Sequence, residues 1–214
     1  MITFDNNKYR WKNPDTGELE DFLRVTEIIW DILGWTTKVH FKAAKADFGT
    51  RVHTHVENWI AGTVQPEDIS DLNERAHLEA YIQFQKQTNW ATKEVEKIVY
   101  CPKRRYAGRV DQIGLYGGVP AIVDIKTSAA ASKFTGYQLA AYASALGDHD
   151  MQRIALHLNS DHDGEQYTGK YHVHFYRDPM DFHVFNALVV LWPAMGANHW
   201  QKQKDLMQRY SKND

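Results

Sequence analysis

Tyr106-Ala-Gly-Arg-Val-Asp111 and, beyond a Gly117-Gly118 pair, Ile122-Val-Asp-Ile-Lys-Thr127 decide how this chain is read. Tyr106 to Tyr116 and Val119 to Lys126 are rich in Val, Ile and Tyr, and the glycine pair is a turn that joins them as a hairpin. Asp111 then sits near the middle of one strand and Asp124 near the end of its partner. Strand alternation sends Asp124 and Lys126 to one face together with Ile122, and Val123 and Ile125 to the other. Two carboxylates brought together among apolar neighbours repel unless something positive lies between them. A divalent cation with oxygen ligands does that, and the adjacent lysine adds a charge for an anionic group or a water. Asp-x-Lys by itself is common, and two surface ion pairs on a hairpin are its plain reading. Its surroundings decide between the two.

Outward from this hairpin, Lys93 to Tyr100 is a third strand of similar composition. Phe134 to Leu146 returns to helical spacing, Arg153 to Asn159 and Tyr167 to Tyr176 are two further strands around a polar turn, and Met180 to Tyr210 is mostly helical. Upstream, apolar residues recur at helical spacing from Phe41 to Ala61 (Ala44, Phe48, Val52, Val56, Trp59, Ile60) and stop at Gly62. A second helix is predicted from about Pro66 to Asn89, opened by acidic residues that suit a helix N-terminus. Val25 to Leu33 is a short helix, and Phe4 to Leu23 folds back at Asn13-Pro-Asp-Thr-Gly17 as a hairpin. This order predicts an α/β fold, a mixed β-sheet flanked by helices. With no repeat, low-complexity segment or Pro/Gly/Ser linker, residues 1–214 read as a single domain.

On the first long helix, His53 and Glu57 lie one turn apart and share a face, within and just beyond Gly49-Thr-Arg-Val-His53. Gln138 and Tyr142 have the same spacing on the helix after the lysine strand, where Leu139, Ala143 and Leu146 form the core side. Taken singly, a half-exposed histidine and two amphipathic positions explain these nearly as well. Lys103-Arg-Arg105, Arg109 and Lys133 form a local basic patch, although a solvated hairpin end accounts for the Lys-Arg-Arg run equally. Trp30, Trp35 and Tyr137 have rings that stack on bases, with core packing the commoner use. His53-x-His55 and His172-x-His174 alternate as strand positions do, and His40 has no comparable context. The eleven histidines include no His-Glu-x-x-His or comparable zinc motif, which sets a zinc hydrolase aside.

The composition, 43% hydrophobic and 24% charged, is that of a soluble globular chain whose many aromatics chiefly fill a core. A formal net charge of −2 lacks the positive excess common in nucleic-acid binders. Acidic metal ligands would subtract from that total while basic residues cluster locally. Cys101 is the only cysteine, which excludes an internal disulfide and a four-cysteine zinc or iron–sulfur site, and fits a reducing compartment. Met1 to Arg10 has no signal-peptide character, and the most apolar stretch, Ala187 to Ala197, is too short to span a bilayer. A soluble, cytoplasmic protein is expected.

Together these residues resemble the PD-(D/E)XK nuclease superfamily, in its RecB-like exonuclease branch found in phage and repair proteins. The resemblance is an ordered set: Arg24-Val-Thr-Glu-Ile28, Gly49 to His53 with Glu57, Gly108-Arg-Val-Asp111, Asp124-Ile-Lys126 and Gln138-Leu-Ala-Ala-Tyr142. It spans roughly Val25 to Leu146 and implies a restriction-endonuclease-like core over about residues 41–176, with the N-terminal hairpin and C-terminal helix as additions. It further implies that His53, Asp111, Asp124 and the backbone carbonyl of Ile125 ligate Mg²⁺ or Mn²⁺. Asp111, Asp124 and Lys126 would be catalytic, the lysine positioning or activating the attacking water and stabilising charge that grows on the phosphate. Gln138 and Tyr142 would hold the DNA strand or support the lysine, Thr26 and Glu57 would lie behind the ligands or touch substrate, and Arg109 would contact substrate. Val110 stands where the superfamily's name has proline, as is common in this branch. The single cysteine excludes the cluster-bearing subgroup.

The implied activity is metal-dependent hydrolysis of DNA phosphodiester bonds by an exonuclease of phage or repair and recombination processing. The substrate would be single-stranded DNA or duplex ends, with a recombination or replication protein as a further partner and the host cytoplasm as location if a phage encodes the chain. Two other readings stand beside it: a site- or structure-specific endonuclease on the same core, and a non-catalytic DNA-binding recombination accessory protein. Digestion polarity, strand preference, metal count, oligomeric state and the role of residues 151–214 are not set by these residues.

Overall fold

The structure is a computed structural model that describes residues 1–6, 8–33, 43–128, 130–164 and 166–195. The strands are β1 (Ile2–Asp5), β2 (Lys8–Lys12), β3 (Leu19–Arg24), β4 (Ala91–Cys101), β5 (Tyr106–Tyr116), β6 (Val119–Lys126), β7 (Gln152–Asp163) and β8 (Gln166–Phe175). They form one mixed sheet in the order β1-β2-β3-β5-β6-β7-β8, with β4 paired to β5. The helices are α1 (Val25–Leu33), α2 (Ala43–Ile60), α3 (Leu72–Thr88), α4 (Lys133–Leu146) and α5 (Met180–Met195).

The expected α/β architecture is present, and the period-two alternation explains how the layers form. Ile122 packs with α1, α4 and α5 in one core, while Val123 and Ile125 pack with α2 and α3 in another. The sheet is therefore covered on both faces. Its central strands carry few charges because neither side meets water. Tyr81, Phe84 and Leu78 of α3 are fully buried, each worth about 1.5–3 kcal/mol relative to exposure. A buried ion pair, Arg153 to Asp181 at 2.8 Å, ties β7 to α5, and the same guanidinium donates to the carbonyls of Gly136 and Asp178.

Two segments differ from the sequence-based expectation, and a third is described only in part. The N-terminal hairpin is a three-stranded unit, with β2 and β3 folding around the Asn13–Gly17 turn and β1 added antiparallel to β2. The predicted helix from Pro66 to Asn89 is broken: Pro66–Asp68 is a 3-10 turn, and α3 starts only after Asp71. Asp71 is the reason, because its carboxylate caps the helix by accepting from the backbone of Asn73 and Glu74. The last helix is described to Met195. Its predicted continuation to Tyr210 lies outside the described residues, as do Trp35, His40 and the Phe41 start of the first long helix. Among the described residues, no helix is long and apolar enough to cross a membrane.

Gly169 lets β8 approach α3. A Cβ there would overlap the carbonyl oxygen of Ala76 and stand 2.9 Å from the Ala80 nitrogen. Backbone cannot rotate away as a side chain can, so Gly169→Ala is expected to cost about 1–3 kcal/mol. Thermal unfolding of the variant measures this; an unchanged midpoint would refute the close approach.

Candidate active site

The β5–β6 ladder pairs Tyr116 with Val119 and continues to Gln112 with Val123. One residue further the strands part, at Asp111 and Asp124. Beyond this point the Ile125 amide donates to Asp111 Oδ2 at 2.7 Å, so a side chain takes the place of a backbone acceptor. The parting exposes the ends of both strands to α2 from one layer and α4 from the other. Asp124 stays deep, its side chain 4% exposed, whereas Asp111 is 16% and Lys126 31% exposed.

Asp124 is held from two sides. Lys126 Nζ lies 2.6 Å from Oδ2, an ion pair without hydrogen-bond geometry, and that oxygen has no hydrogen bond. Gln138 Nε2 donates to Oδ1 at 3.1 Å and also to the Tyr142 hydroxyl at 3.0 Å. Tyr142 is buried and meets Gln138 rather than solvent. Its ring approaches β5 closely because Gly108 has no side chain: a Cβ there would overlap ring atom Cε1 and stand 3.1 Å from Cζ. Gly49 plays a smaller version of this part, placing α2 against the end of β6, where a Cβ would be 3.3 Å from Thr127 Oγ1.

From α2, whose Val52 and Val56 are buried in the core, His53 reaches the parting strands. Its Nε2 lies 3.0 Å from the Ile125 carbonyl oxygen. A carbonyl only accepts, so Nε2 carries the proton and Nδ1 faces Asp111 Oδ2 at 3.6 Å. The fourth participant, Glu96 of β4, escaped the sequence reading. It sits between Val95, paired with Gln112, and Lys97, paired with Val110, which sets it beside Asp111. Its φ of +50° is left-handed, a cost of roughly 1–2 kcal/mol for a residue with a Cβ. Ligating atoms of His53, Glu96 and Asp111 all lie within 4.8 Å of one another. In sequence Glu96 is one acidic residue in an alternating strand, and only the register with β5 marks it out.

The remaining expected residues are more dispersed. Arg109, 55% exposed, is paired through Nε with Glu96 Oε2 at 2.6 Å. Glu57 contributes to the negative field on Glu96. Thr26 lies half-buried in the first turn of α1, and among the described residues no hydrogen bond or ion pair joins it to Asp111, Asp124 or Lys126. Trp30 is about half exposed on α1, and Tyr137 packs against the core shared by α1, α4 and α5.

Burial and then the Asp124 carboxylate push Asp111 up to about 6. Burial and then Asp111 push Glu96 up to about 7. Burial pulls Lys126 down, but Asp124 and Asp111 outweigh it and leave the ammonium raised. The cluster therefore sets three carboxylates against two cations, Lys126 paired with Asp124 and Arg109 paired with Glu96. Two carboxylates and one imidazole nitrogen, those of Glu96, Asp111 and His53, lie close enough together to fit a divalent cation.

A pH dependence follows from these two raised carboxyls. The folded chain holds their protons more tightly than the unfolded chain does, so their stabilising contribution is present near pH 4 and lost as pH rises through 6 to 7. A cation binds the deprotonated forms and reverses the sign. The melting shift produced by Mn²⁺ is expected to be small at about pH 5.5 and large at about pH 8. His77 and His157, both lowered by burial, act oppositely in the same range, so the difference with and without Mn²⁺ is the readout. A shift that shrinks with rising pH would exclude Asp111 and Glu96 as ligands.

No protein family and no curated protein matches the chain. Among solved structures, its fold is similar to an alkaline exonuclease from Laribacter hongkongensis, LHK-Exo, at 14% identity over 90% of this chain and 95% of that one. The TM-score is 0.41 for that structure and 0.42 for the same protein in complex with dAMP. The protein SSO0001 is similar at 13% identity over 81% of this chain and 78% of that one, with a TM-score of 0.32. Likeness at this level carries no residue role from those proteins to this chain.

Proposed function

We propose that this chain is a metal-dependent deoxyribonuclease of the RecB-like PD-(D/E)XK type, acting as an exonuclease in phage or repair DNA processing. The observation that carries the reading is the notch where β5 and β6 part, with Asp111 and Asp124 side by side and Lys126 Nζ 2.6 Å from Asp124. His53, Asp111, Asp124 and the Ile125 carbonyl would hold Mg²⁺ or Mn²⁺, with the imidazole making Mn²⁺ the more welcome. When bound, the cation lowers the pKa of water and neutralises charge on the phosphoryl group. Lys126, kept protonated by its two carboxylate neighbours, donates to the phosphate oxygen on which charge grows or orients the attacking water. Gln138 keeps Asp124 aimed at the notch, and Tyr142 supports Gln138 from below. Arg109 meets the strand at the rim, with Glu57 and Thr26 as further contacts.

The test uses end-labelled single- and double-stranded DNA and a closed circle, each with Mg²⁺ or Mn²⁺. Cutting of linear DNA with the circle left intact is the expected pattern. Discrete internal products on the circle would favour the endonuclease, and tight DNA binding with no turnover in any metal would favour the accessory-protein reading.

A further inference from the structure

Glu96 stands between two partners that compete for it. One oxygen, Oε2, is 2.6 Å from Arg109 Nε, while a carboxylate oxygen lies within 4.8 Å of ligating atoms on both His53 and Asp111. Arg109 is more than half exposed at the rim of the notch, whereas Glu96 is 22% exposed and faces inward. Its left-handed backbone turns the side chain out of strand alternation at the position beside Asp111. Beside this trio, the buried Asp124 Oδ2 has no hydrogen bond and is met by the Lys126 ammonium at 2.6 Å, which leaves that charge turned toward Asp124.

We propose that Glu96 is a shared ligand that couples cation binding to DNA binding. In the free protein Arg109 holds it; when a backbone phosphate of the DNA draws Arg109 outward, Glu96 completes the cation site with His53 and Asp111. The inference rests on the nuclease reading and adds to it a fourth side-chain ligand and an order of events. A guanidinium grips phosphate as well as carboxylate, in the same forked geometry, so the exchange costs Arg109 little. Coupling of this kind is reciprocal. DNA tightens the cation by the factor by which the cation tightens DNA.

The experiment titrates Mn²⁺ into the full chain by electron paramagnetic resonance, with and without a short single-stranded phosphorothioate oligonucleotide that keeps the charge and resists cutting. DNA is expected to tighten Mn²⁺ by about tenfold in the wild type. Arg109→Ala is expected to bind Mn²⁺ more tightly than wild type without DNA and to gain nothing further from DNA. Removing a positive charge would strengthen cation binding by simple electrostatics as well, so a double-mutant cycle separates the two. If Arg109 acts through Glu96, the effect of Arg109→Ala disappears in a Glu96→Gln background. Persistence of that effect, or Mn²⁺ and DNA that both bind the wild type without influencing each other, overturns the coupling and leaves the nuclease reading in place. A wild type that binds no Mn²⁺ at all overturns both.

Discussion

Asp124→Asn is expected to leave a protein that folds and no longer cuts. Asparagine nearly matches aspartate in volume, and its side-chain oxygen can still accept from Gln138, so the 3.1 Å bond survives. What disappears is the charge on the second oxygen, the one that faces Lys126 and has no hydrogen bond. Two effects on stability oppose each other. Asp111 loses a repulsive neighbour, so its carboxyl falls back from about 6, while Lys126 loses the larger of the two charges that keep it protonated. The melting point is therefore expected within about 4 °C of wild type, roughly the effect of 1 kcal/mol at this size. Cleavage is expected to fall at least about 100-fold, the usual consequence of deleting one group that stabilises transition-state charge. Single-turnover rates on end-labelled DNA, beside a melting curve of the same sample, decide it. An Asp124→Asn protein that cuts at the wild-type rate would remove Asp124 from the chemistry.

Gly108→Ala is expected to damage fold and activity together, through a residue that touches no substrate. The added methyl group would enter the space of the Tyr142 ring, and Tyr142 is buried. Overpacking of this kind costs about 1–3 kcal/mol, which lowers the melting point by roughly 3–10 °C. Movement of the ring also shifts Gln138, and with it the alignment of Asp124. Two further variants assign the cause. Tyr142→Phe keeps the ring and loses only the 3.0 Å bond to Gln138, so it should melt close to wild type and cut more slowly. Tyr142→Leu makes room for the methyl group, so adding Gly108→Ala to it should cost much less than Gly108→Ala costs alone. Additive costs in that pair would show that the glycine serves some other purpose.

These two positions show unequal legibility. Asp124 and Lys126 could be placed on one strand face from sequence because strand alternation is local and needs only five residues. Gly108 could be seen as part of a motif, but its reason could not. The Tyr142 ring comes from a helix 34 positions later in the chain, and its contact depends on how α4 settles on the sheet. The helix predicted from about Pro66 to Asn89 is present as Leu72–Thr88, and its later start has a related reason. Several acidic residues there suit a helix N-terminus, and Asp71 is the one whose carboxylate reaches the amides of the first turn.

Periodicity, glycine turns and the order of acidic and basic residues determined the α/β architecture, the hairpin that carries Asp111 and Asp124, and the shared face of Asp124 with Lys126. All are properties of residues near one another in the chain. Only the tertiary structure decided that β5 and β6 part at the two aspartates and that His53 faces them through Nδ1. It alone set Glu96 beside Asp111 and tied Arg109 to it. Each of those depends on strand register or on packing between layers, where a slip of one residue would turn a side chain to the opposite face. No local pattern records that choice.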